Sequence, residues 1–302
     1  MLSANTIKFG IIGTGVVGTS LAILLEKAGL RCVGVHTRSK KSYEYFCRYL
    51  PKEQLGLKQL VMESDLVFIT TQDCYIEETA ARLSQERDIK PGQIWIHCSG
   101  SLPSGVMCQN PMLPVAYLSL HPLQAFANID TAVSVMKGTY FSIEGSSPEA
   151  ENQGENLVAL LAGIPLKINP SKKSLYHAGA VVVSNYLVSL VLLAVKLFEQ
   201  AGIERKEALA ALLPLLAGSC RNIGKLGLPG ALTGPIARGD AQVVARHLQS
   251  MPEEIRTVYR ELGKLALELG LEKKLLDRAS YRPEDLNALE ELLKDLGEET
   301  KQ

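Results

Sequence analysis

Ile7-Lys8-Phe9-Gly10-Ile11-Ile12 runs directly into Gly13-Thr14-Gly15-Val16-Val17-Gly18, which is followed by Thr19-Ser20-Leu21-Ala22-Ile23-Leu24-Leu25-Glu26-Lys27-Ala28-Gly29. The first piece is a short apolar run suited to a buried strand. The last is rich in helix formers and stops at a glycine. A G-x-G-x-x-G loop between a strand and a helix is the arrangement that holds the pyrophosphate of a dinucleotide. Gly13 is expected to make the tight turn, Gly15 to let the backbone approach the phosphates, and Gly18 to let helix and sheet pack closely. Thr14, Val16 and Val17 complete the loop, and the free N–H groups at the helix start would face the ligand.

The next strand, Arg31 to Val35, narrows the choice of nucleotide. A site for NAD places an acid at this strand's end, to accept from the ribose 2′-OH. Here the chain reads His36-Thr37-Arg38-Ser39-Lys40-Lys41. A hydroxyl and several cations suit a 2′-phosphate, so Thr37, Arg38 and Ser39 point to NADP(H). A solvated basic turn is the plain alternative.

Working outward, the first half alternates strand and helix. Strands are expected at 66–70, 93–97, 115–120, 139–143 and 165–168, and helices at 40–49, 75–85 and 148–162. Regular alternation implies a parallel, doubly wound sheet. From about Ser171 only helices are expected, at 172–201, 205–218, 239–249, 252–270 and 283–296. The division predicted is a Rossmann domain over 1–170 and a helical domain for substrate and dimerisation over 171–302. With 302 residues the chain is long enough for two such domains.

The 32 Lys and Arg balance 32 Asp and Glu, so no net field draws the protein to nucleic acid or anionic lipid. Six cysteines show neither a C-x-x-C pair nor metal spacing, which fits free thiols, no metal and a cytoplasmic location. Residues 178–195 carry no charge and approach the length of a membrane span. A single such segment after a Rossmann half reads instead as a core or dimer helix, and a homodimer is expected.

Ligands of open α/β sheets bind at the carboxyl ends of the strands. Three such ends are polar: Thr70-Thr71-Gln72-Asp73, His97-Cys98-Ser99-Gly100-Ser101, and His121-Pro122-Leu123-Gln124. Thr70 and Thr71 are placed near the cofactor ribose, and Ser99 near the nicotinamide. His121 is placed to bind a substrate carboxylate or relay a proton. On the first helix of the second half, Lys173, His177 and Ser184 share a narrow face, with Asn185 turned some way around it. Reducing a carbonyl requires a proton donor, and Lys173 or His177 would supply it. Asn185 would orient the substrate, with Ser184 beside it. In the stretch 231–240, Thr233 and Arg238 are candidate substrate ligands, and Asp240 either caps a helix or pairs with Arg238.

Four signatures carry a resemblance across nearly the whole chain. They are H-C-S-G-S-L at 97–102, H-P-L-Q-A-F at 121–126, Y-H-A at 176–178 with S-N-Y at 184–186, and L-T-G-P-I-A-R-G-D at 232–240. They resemble a Rossmann-like family whose C-terminal half was long catalogued as a domain of unknown function, within the 6-phosphogluconate dehydrogenase-like superfamily. The resemblance implies a Rossmann domain followed by an all-helical domain like the C-terminal one of 6-phosphogluconate dehydrogenase. It also implies dimerisation through the helices. Some members are taken to be alternative ketopantoate reductases of pantothenate synthesis. The superfamily places a Lys and an Asn one turn apart where this chain has Lys173 and His177, which leaves the donor open between these two. The expectation is an NADPH-dependent reductase of a small carbonyl acid, with 2-dehydropantoate to pantoate as best guess. The alternatives are a prephenate- or imine-type dehydrogenase, or a non-catalytic NADP(H)-binding protein.

Overall fold

The computed structural model describes residues 6–294. They form two compact units, Met1–Asn185 and Tyr186–Gln302. The division expected at 170/171 falls inside the first of these.

The first unit is built on seven strands: β1 Lys8–Ile12, β2 Arg31–His36, β3 Leu66–Ile69, β4 Gln93–His97, β5 Val115–Pro122, β6 Tyr140–Gly145 and β7 Ile164–Lys167. Their order is β2-β1-β3-β4-β5-β6-β7. The direction of travel reverses at β1, so the crevice between β1 and β3 is the switch point where a ligand is expected. Helices α1 Val16–Lys27, α2 Lys40–Cys47, α3 Leu57–Glu63, α4 Ile76–Leu83, α5 Ile129–Val135 and α6 Pro148–Leu160 connect the strands, and α7 Lys173–Val183 closes the unit. Helices α3 and α5 were not expected from the sequence.

The central strands are apolar on both faces because helices cover both faces. Phe9, Ile11, Phe68, Ile96 and Leu118 belong to one core, and Val67, Ile69, Trp95 and Tyr117 to the other. The alternation along β3 and β5 assigns these cores to opposite faces of the sheet.

The expectation of a parallel sheet is corrected at one place. β5 pairs with β6 antiparallel, while the other pairings are parallel. A parallel crossover must carry the chain back along the full strand. The eight residues of β5 span roughly 26 Å, whereas the seven-residue α5 spans only about 10 Å. α5 packs against α1 instead, and β6 starts from the end at which β5 finished.

The second unit holds the rest of α8 Asn185–Gln200, then α9 Arg205–Ala231, α10 Pro235–Arg238, α11 Ala241–Ser250, α12 Glu253–Leu276 and α13 Pro283–Leu293. The expected helix over 172–201 is two helices broken at Ser184. The helix expected at 205–218 runs on to Ala231, kinked at Gly227, whose φ of 71° is left-handed. Ile236, Val244, Leu248, Leu267, Leu289 and Leu293 form this unit's core. α8 and α9 contribute little to it: Val195 and Ala208 are their buried residues. Pro170–Gln200 is long and apolar enough to cross a membrane by length and composition.

Candidate functional site

The glycine loop adopts the conformation its residue types require. Gly13 has φ 101°, and a Cβ there would lie 2.8 Å from the Thr70 carbonyl. A Cβ on Gly18 would lie 2.3 Å from both the Gly13 carbonyl oxygen and Thr70 Oγ1, so only glycine lets α1 approach β3. A Cβ on Gly15 would meet nothing, because Gly15 borders open space. Helix α1 starts there with no side-chain cap, leaving its first N–H groups free for an anion.

This loop borders a cavity of about 390 Å³ that also reaches Thr37, Arg38, Ser39 and Thr71. Two threonine hydroxyls, Thr14 Oγ1 and Thr71 Oγ1, are buried without a partner. Orphaned hydroxyls on the wall of such a cavity are what a bound phosphate or ribose would satisfy. Thr70 is engaged within the protein, where its hydroxyl donates to the Gly13 carbonyl at 2.6 Å and fastens the loop to β3. Ser39 caps α2, accepting from the Ser42 amide. Arg38 lies over the Tyr75 ring, 4.3 Å from its centroid.

The far wall of this cavity was not anticipated from the sequence. Tyr75, Glu78, Thr79 and Arg82 line it together. Their spacing of three, four and seven residues marks one face of α4 and was a usable signal. Arg82 brings a second guanidinium to the pocket that holds Arg38.

A second cluster forms at the carboxyl ends of β4 and β5. In the pairing, His97 lies beside Ser119, and Ser119 opposite Glu144, so the three form a row on one face of the sheet. Lys173, at the start of α7, is fully buried and donates from Nζ to Ser119 Oγ at 2.7 Å. Burial pulls its pKa down, while Glu144 and Asp73 act in the opposite sense. Glu144 is itself held by the Ser104 amide and hydroxyl, at 2.6 and 2.7 Å.

The next row pairs His121 with Ser142. His121 Nδ1 lies 3.1 Å from Tyr176 Oη, and its ring centroid lies 5.9 Å from that of His177. Burial, with Lys173 and His177 adding to it, pushes the His121 pKa down to about 4, so the ring is neutral near pH 7. Gly100 makes this approach feasible. A Cβ there would lie 2.5 Å from His177 Cδ2 and 3.0 Å from His121 Nε2.

His97 is a staple. Its Nδ1 accepts from the Ser99 amide and its Nε2 faces the Pro103 carbonyl, so Nε2 carries the hydrogen. Burial lowers its pKa to about 4. Ser99 donates to Asp73 at 2.6 Å and accepts from the amides of Ser101 and Leu102. Its hydroxyl thus fixes the 97–102 turn. Burial pushes the Cys98 thiol up to about 12, which makes it a poor nucleophile.

Of the residues proposed from sequence, Lys173, His177, His121 and Ser99 come together here. Ser184 and Asn185 stand beyond the last turn of α7, and neither side chain makes a hydrogen bond among the described residues. In the second unit, Asp240 precedes α11 without a side-chain cap, and its carboxylate lies 3.5 Å from exposed Arg238. Lys273 Nζ donates to the carbonyls of Gly230 and Leu232, steadying the backbone ahead of Thr233.

A doubly wound sheet with a glycine loop at its switch point, followed by helices alone, defines the class: a Rossmann-type dinucleotide-binding protein with a helical second half. Residues 2–122 match the family described as Rossmann-like domain, and residues 139–266 the one described as domain of unknown function (DUF2520). The chain therefore joins a Rossmann-like domain to a DUF2520 domain. No curated protein matches its sequence. Its fold is similar to that of BF3122 from Bacteroides fragilis, at 24% identity and TM-score 0.71, over 87% of this chain and 98% of that one. It is similar to protein TM1727 from Thermotoga maritima, at 23% identity and TM-score 0.69, over 88% and 99%. A reductive aminase from Aspergillus terreus, solved in complex with NADPH and ethyl-5-oxohexanoate, shares the fold at 19% identity and TM-score 0.58, over 98% and 96%.

Proposed function

We propose that this protein is an NADPH-dependent reductase of a small carbonyl acid, with 2-dehydropantoate to pantoate as the first substrate pair to try. The observation that carries the reading is the buried Lys173 beside the His121–His177 pair, at the carboxyl ends of the same sheet that bears the glycine loop. NADPH, when bound, supplies hydride to a carbonyl carbon. Thr14, Thr71 and the start of α1 would hold its phosphates, and Arg38 and Ser39 its 2′-phosphate. The remaining chemistry belongs to the chain. Lys173 is enclosed and tied to Ser119, so it acts through its charge, favouring an anionic substrate and adding to the burial that keeps His121 neutral. His177 is half-buried on the same helix and gives the proton to the developing oxygen. His121 takes the substrate's polar oxygen.

NADPH consumption against a panel of 2-oxo acids and cyclic imines tests this. Turnover of an oxo acid supports it. The fold shared with a reductive aminase favours an imine-type dehydrogenase as the second reading. Turnover of imines alone would establish that reading, and cofactor binding without any turnover would leave a binding protein.

The helical half carries the proposal for assembly. Leu213, Leu215, Ile223 and Leu226 on α9, with Val188 on α8, are half or more exposed or close to it. An apolar surface of this extent on a protein lacking net charge calls for a cover. A second copy of the chain in a homodimer, within the cytoplasm, is the cover we propose.

A further inference from the structure

His121 is held at one nitrogen and open at the other. Nδ1 lies 3.1 Å from Tyr176 Oη, whereas Nε2 has no hydrogen-bond partner among the described residues. The hydrogen between Nδ1 and the phenol can belong to either group, and the choice decides what Nε2 offers. A phenol is the stronger donor and an imidazole nitrogen much the stronger acceptor. Burial raises the Tyr176 pKa, keeping the phenol protonated. One competitor is present. Ser142, opposite His121 in the strand pairing, has a buried hydroxyl without a partner and lies close to Tyr176. If the phenol turned its hydrogen to Ser142, Nδ1 would have to carry the imidazole hydrogen. A serine oxygen is the weaker acceptor, so this arrangement loses.

We propose that Tyr176 is a positioning residue: its hydroxyl donates to Nδ1 and fixes His121 as the Nε2–H tautomer, a neutral hydrogen-bond donor for a substrate oxygen. The substrate oxygen rests on the reductase reading above, while the tautomer does not. A neutral donor polarises a carbonyl without surrendering its own proton, because loss of that proton would leave an imidazolate. The proton that ends on the oxygen therefore comes from His177, which takes up another from solvent. Two imidazoles on one face thus divide the work, one polarising and the other protonating.

The test is a long-range proton–nitrogen NMR spectrum of the full chain labelled with 15N-histidine, with the His121 signals identified by their loss in His121→Asn. The expected result is a protonated Nε2 and an unprotonated Nδ1, unchanged between about pH 5 and 8, where an ordinary histidine titrates. Tyr176→Phe should give a mixture of tautomers, and Ser142→Ala should leave the pattern as it is. A hydrogen on Nδ1 in the unaltered protein would overturn the proposal, whatever the enzyme turns over. So would an unchanged His121 pattern in Tyr176→Phe. With the substrate found in the panel, Tyr176→Phe should lower kcat by roughly tenfold, the scale of one lost hydrogen bond, without changing KM for NADPH. If no carbonyl compound is turned over, the reductase reading falls, and the spectrum still decides the tautomer.

Discussion

Lys173 Nζ reaches Ser119 Oγ across 2.7 Å, joining the first turn of α7 to the middle of β5 at a point closed to solvent. A buried cation must be balanced, and Glu144, opposite Ser119 in the pairing, supplies the opposite charge nearby. Replacing Lys173 with Met should remove a positive charge that depresses His121. The His121 pKa should then rise from about 4, though burial, its larger cause, should keep it below 6.5. A titration of the ring proton by NMR measures this, and an unmoved value would mean that Lys173 is uncharged.

His97 and His121 both titrate near 4 in the fold against an ordinary 6.5. The unfolded chain therefore binds protons first as pH falls. Stability should be full above 6.5 and drain away as pH drops toward 4. Melting temperatures across that window should show the fall, and His121→Asn should make it shallower.

Gly100→Ala should spare the cofactor pocket and damage the imidazole pair. The new Cβ would press on His177 at 2.5 Å and on His121 at 3.0 Å, so the rings must shift. Displacement on this scale costs roughly 10²-fold in rate. We expect kcat to fall by about that much while NADPH titration is unchanged.

His177→Ala should lower kcat by about 10²–10⁴, the usual contribution of a general acid. The same substitution should leave NADPH affinity intact. If it does neither harm nor good to turnover, protonation comes from elsewhere.

Arg38 and Arg82 share one cavity. Arg38→Asp should narrow or invert a preference for NADPH over NADH, and Arg82→Ala should narrow it further. Each lost charged hydrogen bond corresponds to roughly tenfold in affinity. Fluorescence titration with both cofactors checks this, and equal affinities in the unaltered protein would refute it.

The glycine loop was legible because its constraints are local. A positive φ at Gly13 and the close contact at Gly18 each demand glycine whatever surrounds them. His121 and His177 were legible as polar residues at a strand end and on an apolar helix. Their contact was not, because it depends on α7 lying against the face that carries His97, Ser119 and Glu144. The same non-local pairing hid the partner of Lys173, Ser119 on β5, because helical spacing says only that Lys173 shares a face with His177 and Ser184. The break at Ser184 ends that shared face. Tyr75 and Arg82 went unread although their helical spacing was available, since nothing in the sequence says which face of α4 meets the nucleotide. The antiparallel turn into β6 was hidden in the shortness of α5.

That antiparallel turn also dictates how the protein can be altered. Ser119 and His121 point one way from β5, and Leu118 and Leu120 the other, into the core. Deleting one residue within β5 before Ser119 would move leucines under α7 and polar groups into the apolar layer. Added residues within the exposed stretch Leu123–Ala125, ahead of α5 and its buried Ile129 and Ala132, would shift no side chain on either strand. The stretch after Pro122 is thus the place to graft a tag or a new loop, whereas β5 itself tolerates changes of chain length only in pairs.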